Sequence, residues 1–324
     1  MAPTATELEL PSTLSPSKIT AFTNCPLAFR FSVVEHLPEP PSPAALKGTL
    51  VHRALELLFA EHANGSRSRT AAQASLERAW QELQDGDELA GLGLDEAAGA
   101  AFLADARELV DRYFELEDPD AVRAVGLEMS LSTDIDGVTV RGIIDRLDEL
   151  DDGSLVVVDY KTGRAPRHEQ SRSRLGGVQM YALMCEAELG RRPAAVRLIY
   201  LRDRVVISAS PTDQAMRGTR QRALGVWAAI ERACSQDDFR PNPSGLCRYC
   251  AFQAYCPSFG GDPAQAGPAL ATATAPGPAV AVAGRAVAGP ALATATAPGP
   301  AVAVAGRAVA GLPLEVQDVV GLSA

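Results

Sequence analysis

Asp159 and Lys161 close a run of β-branched apolar residues, Val156-Val157-Val158. The lysine is unusual for this chain. It is one of three, with Lys18 and Lys47, and the other twenty-seven of the thirty basic residues are arginine. Lysine is a compact point charge whose pKa and reach suit it to chemistry, whereas arginine is a permanently charged fork. Side chains alternate along a strand, so positions 159 and 161 share a face. A second aspartate, Asp145 in Gly142-Ile143-Ile144-Asp145-Arg146, falls on the neighbouring strand if the chain turns back at Asp151-Asp152-Gly153. Two converging carboxylates repel each other unless a hard cation sits between them, and Mg²⁺ or Mn²⁺ is the usual occupant. Such a cation lowers the pKa of a bound water and neutralises developing charge, while Lys161 orients or helps deprotonate that water. This is equipment for phosphodiester hydrolysis. The competing readings are an exposed lysine at a strand end and an ion pair from Asp145 to Arg141 or Arg146.

His52, in Gly48-Thr49-Leu50-Val51-His52, stands early in an amphipathic helix. Beside two carboxylates an imidazole shifts preference from Mg²⁺ towards Mn²⁺ or other transition metals. On its own it is equally a surface or core histidine. The second constellation is Cys247-x2-Cys250-x5-Cys256, in a segment rich in Pro and Gly, with Cys25-Pro26 far upstream. Three clustered cysteines need a fourth ligand, and spacing alone leaves zinc and a four-iron cluster both open. Cys185 and Cys234 fall in helical patterns and read as small buried hydrophobes.

The elements that must position these groups follow from periodicity. Ser15 caps a first helix carrying Ile19 and Phe22; Leu46–Ala60 is strongly amphipathic, and helical stretches follow near 70–83 and 95–116. The period then changes to two over 121–133 and 138–150, with a hairpin turn at Asp134-Ile135-Asp136-Gly137. Leu155–Asp159 is wholly apolar, as expected at a sheet centre. A helix at 175–189, strands at 195–201 and 205–209, and a helix at 213–234 complete an α/β or α+β order.

Composition sets bounds. A net charge of −10 argues against coating nucleic acid through overall charge, but not against a local basic groove. Arg164, Arg167, Arg172 and Arg174 supply such a loop just after the catalytic strand. No uninterrupted apolar run reaches membrane-spanning length, and the first residues carry no secretory pattern, so a cytoplasmic protein is expected. No P-loop motif occurs. Residues 267–288 recur identically at 289–310, an Ala/Pro/Gly repeat without aromatic residues that reads as a flexible tail. The expected organisation is a polar leader over 1–14, one domain over 15–258, and a low-complexity tail over 259–324.

In this order the motifs resemble the RecB-type nucleases of the PD-(D/E)XK superfamily, particularly those with an iron–sulfur cluster. The similarity spans about residues 14–258. Cys25-Pro26 matches the first cysteine, Gly48 to His52 the G-x-x-x-H helix, and Gly142–Arg146 the G-x-x-D-R strand. Asp159–Gly163 matches D-Y-K-T-G, and Cys247, Cys250 and Cys256 the final C-x2-C-x5-C. The resemblance implies an α/β, restriction-endonuclease-like core: a mixed central sheet flanked by helices, a helical N-terminal insertion and a C-terminal cysteine-rich segment. It implies a DNA nuclease, acting exonucleolytically on ends or single strands in repair or recombination. Asp145, Asp159 and Lys161 are then catalytic, with His52, Asp145, Asp159 and Tyr160 binding Mg²⁺ or Mn²⁺. Cys25, Cys247, Cys250 and Cys256 hold a 4Fe–4S cluster, or zinc as the alternative, pinning the two chain ends together. Arg164, Arg167, Gln179 and Tyr181 contact DNA. One departure concerns the last pair: the family places a glutamine four residues before the tyrosine, whereas position 177 is Gly and the glutamine is Gln179. A separate helicase is an expected partner. The runner-up reading is a non-catalytic DNA-binding partner of a helicase, in which the acidic pair or the lysine would be lost; all three residues are present.

Overall fold

Short polar side chains punctuate the helices. Ser15, Ser42, Ser68, Asp95 and Thr212 each sit in extended backbone and accept the amide of the residue three positions on, satisfying an orphan donor of the first turn. The computed structural model describes residues 8–166, 171–267 and 316–318, with backbone alone at 171–176 and 316–318. The caps start α1 (Pro16–Asn24), α3 (Pro43–Glu61), α4 (Arg69–Gln84), α6 (Glu96–Tyr113) and α8 (Asp213–Gln236). Between them lie the short α2 (Pro26–Phe29), running into a π-helical turn at Arg30–Val34, and α5 (Asp87–Gly91).

The strands are β1 (Ala124–Ile135), β2 (Val138–Glu149), β3 (Leu155–Lys161), β4 (Ala195–Tyr200) and β5 (Val205–Ala209), with three residues of β6 (Val316–Asp318). They form one mixed sheet in sequence order. β3 and β4 are parallel and joined by α7 (Ser171–Leu189), as a parallel pair requires a crossover; the other pairs are antiparallel. Asp136 and Gly137 both take positive φ, the backbone that closes a tight β1–β2 hairpin.

Helices cover both faces, which explains why β3 is apolar over Leu155–Val158. Leu155 and Val157 join a core with Ile19 of α1, Met180 and Met184 of α7 and Ile230 of α8. Val156, Val158 and Tyr160 join a second core with Leu50 and Leu55 of α3, Leu76 of α4 and Tyr113 of α6. Leu14, at the end of the expected leader, is fully buried and exchanges hydrogen bonds with β2 at Thr139 and Arg141. At the other end the chain stays packed past 258: Ala266 is fully buried in the first core. The repeat lies outside the described residues.

Candidate active site

Pairing between β2 and β3 runs from Glu149↔Leu155 to Arg146↔Val158 and then stops. The next two residues across from each other in that register are Asp145 and Asp159, so both aspartates stand at the mouth of a fork between separating strands. Part of the edge that β2 exposes beyond the fork is taken by Leu14. Within the fork the Tyr160 amide donates to Asp145 Oδ2 at 2.7 Å. From α3, His52 reaches in: Nε2 lies 3.0 Å from the Tyr160 carbonyl oxygen and Nδ1 3.5 Å from Asp145 Oδ2. Against a carbonyl, Nε2 must donate, so a neutral ring turns the Nδ1 lone pair towards the carboxylate. Two acceptors facing each other fit a cation between them.

A third acidic group completes the cluster, and the sequence had not marked it. Donor atoms of His52, Glu128 and Asp145 lie within 4.8 Å of one another. Glu128 stands opposite Asp145 in the β1–β2 register, which pairs Leu127 with Arg146 and Met129 with Ile144. Its φ of 42° is left-handed, a backbone that non-glycine residues rarely adopt. On either side of this pair the strands change phase. Met129 and Ile144 pack on the first core, whereas Leu127 packs on the second and Arg146 leaves on that side. The kink turns an acidic side chain into the fork. Closing the hairpin at Ile135↔Val138 would have shown 128 opposite 145, but strict alternation put Glu128 on a plain polar face.

The carboxylates carry the cost of this crowding. Burial, then the charge of Asp159, pushes Asp145 up to about 6, against the opposing pull of His52, the Tyr160 amide and Lys161. Partial burial and Asp145 push Glu128 up to about 7. Lys161 forms an ion pair with Asp159 Oδ2, its side chain 42% exposed. Burial alone would lower its pKa, but Asp159 outweighs that and holds it above the usual lysine value, so it is an ammonium at neutral pH. Lys161 thus pairs with Asp159, and Glu128 stands beside His52 and Asp145 as a further acidic group.

The expected ion pair from Asp145 to an adjacent arginine does not form. Arg141 donates to Ser132 and Arg146 is engaged by Asp148 and Glu117. Tyr160 cannot offer its phenol to a metal, because the side chain is buried in the second core with its hydroxyl on Arg146; its carbonyl is the group that faces the fork. Tyr181 is half-buried, with a pKa raised by burial and then by Asp159, Asp145 and Glu128, which places it beside the acidic cluster. Its ring passes so close to β2 that a Cβ on Gly142 would lie 2.7 Å from Tyr181 Cε1, so only glycine admits it. Gln179 Oε1 accepts from Thr219 Oγ1 of α8 at 3.2 Å. Arg164 is exposed in the turn after β3, and the neighbouring Ala165 amide is pinned by Asp203. Arg167 and the side chains of Arg172 and Arg174 lie outside the described residues.

Cys25, Cys247, Cys250 and Cys256 line a single cavity of about 290 Å³ between the end of α1 and the last turns of the domain. Asn242 bridges the two sides, its amide N–H donating to Cys25 Sγ (3.5 Å) and Nδ2 to the Asn24 carbonyl (3.0 Å). The Ser244 amide donates to Cys247 Sγ at 3.2 Å.

This chain belongs to the PD-(D/E)XK nuclease superfamily, whose family model matches residues 13–257. It is 27% identical over 173 residues to an ATP-dependent helicase/deoxyribonuclease subunit of Streptococcus equi subsp. zooepidemicus strain MGCS10565, and equally to that of strain H70. Each match covers 50% of this chain and 16% of the relative, so the chain corresponds to a small part of those proteins. Among solved structures, a putative exonuclease from Eubacterium rectale superposes with a TM-score of 0.43 at 10% identity, over 74% of this chain and 87% of that one.

Proposed function

We propose that this chain is a DNA nuclease that hydrolyses phosphodiester bonds with Mg²⁺ or Mn²⁺ in the fork, working on single strands or ends as an exonuclease in repair or recombination. The observation that carries the reading is the convergence of His52, Glu128 and Asp145 within 4.8 Å, beside the Asp159–Lys161 pair. Three carboxylates and one ammonium leave the fork with an excess of negative charge, which adds to burial in raising Asp145 and Glu128. A divalent cation bound there supplies charge neutralisation and makes water more acidic. His52, Glu128, Asp145 and the Tyr160 carbonyl are the groups to hold it. Asp159 fixes Lys161, and the protonated Lys161 donates to the attacked phosphate or orients the attacking water rather than taking its proton. Tyr181 and Arg164 contact the strand.

Cys25, Cys247, Cys250 and Cys256, which line one cavity, are the set to hold a 4Fe–4S cluster, with zinc as the alternative. The relative named as a helicase/deoxyribonuclease subunit supports a helicase as partner. The test is cleavage of 5′- and 3′-labelled single- and double-stranded DNA with Mg²⁺, Mn²⁺ or EDTA, with Asp145→Ala as control. Metal-dependent shortening from one end is expected; cleavage unchanged in EDTA or in Asp145→Ala overturns the reading.

A further inference from the structure

Arg146 directly follows Asp145 but leaves the opposite side of the strand, and it is fully buried. Its guanidinium meets five groups. Nε and Nη2 grip Asp148 Oδ1 and Oδ2 at 2.8 and 2.9 Å. Nη1 donates to the Tyr160 hydroxyl at 2.5 Å, to the Tyr113 hydroxyl at 3.0 Å, and pairs with Glu117 at 2.6 Å. Phe59 lies under its plane, 4.6 Å from the ring centre. Stability gives little reason for this arrangement, since buried ion-pair networks are often matched or bettered by apolar residues of similar volume. Its position gives a better one. Arg146↔Val158 is the last paired position before the fork, so no ladder bond sets the spacing beyond it. The Tyr160 peptide bridges the gap instead, its N–H on Asp145 and its carbonyl facing His52. The side chain of that same residue ends on Arg146.

We infer that Arg146 is a positioning residue: by clamping the Tyr160 hydroxyl it fixes the Tyr160 peptide, and through it the spacing of Asp145 and His52. The inference rests on the metal-hydrolysis reading above. Buried partners behind metal ligands orient them, and their loss costs affinity for the ion without touching it. The clamp therefore acts on divalent-ion affinity rather than on the chemistry of the bound substrate.

Two single-hydroxyl deletions separate positioning from support. Tyr160→Phe and Tyr113→Phe each remove one oxygen from the same Nη1, but only the first belongs to the residue whose peptide spans the fork. On the full-length protein, Mn²⁺ titration and amide exchange by mass spectrometry across 159–161 are compared with melting temperature. Tyr160→Phe is expected to weaken Mn²⁺ binding about tenfold and to raise the Mn²⁺ needed for half-maximal cleavage. It also speeds exchange at 159–161. Tyr113→Phe lowers the melting temperature to a similar extent and leaves ion affinity and exchange unchanged. Arg146→Lys, which keeps the charge but loses the two-pronged reach, follows Tyr160→Phe. Wild-type ion affinity in Tyr160→Phe, or equal losses in both tyrosine variants, overturns the inference. If the wild type itself binds no Mn²⁺ while the exchange difference persists, the clamp stands and the hydrolysis reading fails.

Discussion

The acidic fork and the cysteine lobe both join distant parts of the chain, but they are built in opposite ways. In the fork every donor sits on a long element, α3, β1, β2 or β3, and Arg146 braces it from the second core. In the lobe the C-terminal cysteines hang on three-residue turns at Cys247–Tyr249, Gln253–Tyr255 and Pro257–Phe259. Other contacts attach the lobe: Phe252 against Phe31 with ring centres 5.1 Å apart, Arg30 on Asp237, and Asn242 on Asn24. The fork is thus pre-shaped and needs an ion to relieve charge. The lobe is already docked by its own contacts, so a cluster bound by its cysteines would act on the local order of its turns.

Breaking the fork should have the largest effect. Asp145→Ala removes the group shared by His52 and the Tyr160 amide, and cleavage should fall by about 10³-fold in a gel assay with the fold intact by circular dichroism. Glu128→Gln sharpens the ligand set: Mn²⁺ affinity should drop about tenfold by calorimetry. An unchanged affinity would return Asp159 to the inner position.

Breaking the lobe should do less. Cys250→Ser should abolish the cluster's visible absorbance and speed proteolysis within 241–259, while the sheet keeps its amide protection and metal-dependent cleavage survives. Global unfolding instead would show that the lobe's own contacts are too weak to dock it. At the rim of the fork, Gly142→Ala drives a methyl into Tyr181; overpacking of this kind costs about 1–3 kcal/mol, read as a drop in melting temperature.

The smallest effect is in pH. Asp145 at about 6 and Glu128 at about 7 both lie above their unfolded values. Such raised carboxylates contribute stability that is present below the unfolded pKa and lost as pH rises through the folded one. Metal-free protein should therefore melt lower at pH 8 than at pH 5, and Mn²⁺ should narrow the gap. The partial exposure of Glu128 makes its share the smaller.

How much was legible in the sequence depended on whether a residue's role follows from local spacing. Asp159 and Lys161 share a strand face by period two, and the turns at Asp136-Gly137 and Asp151–Gly153 bring Asp145 alongside. Glu128 was hidden because one positive-φ residue reverses the alternation on which such readings depend. Gln179 and Tyr181 stand about 200° apart around a helix, so their spacing alone does not put both on one face. Arg146 was visible only as the last residue of G-x-x-D-R; nothing local showed that its side chain turns into the core to meet Asp148, Glu117 and two tyrosines. The four cysteines were legible as a set, while the contacts that dock their lobe are side-chain pairings across more than 200 residues.

If the fork hydrolyses DNA with Lys161 as a protonated partner of the phosphate or the attacking water, removing that ammonium must slow the bond-breaking step. Single-turnover cleavage of end-labelled DNA by Lys161→Ala, at saturating Mn²⁺ and with the cysteine lobe loaded, tests this most directly. The expected result is a loss of about 100-fold or more with Mn²⁺ affinity largely kept. Wild-type cleavage by that variant would contradict it.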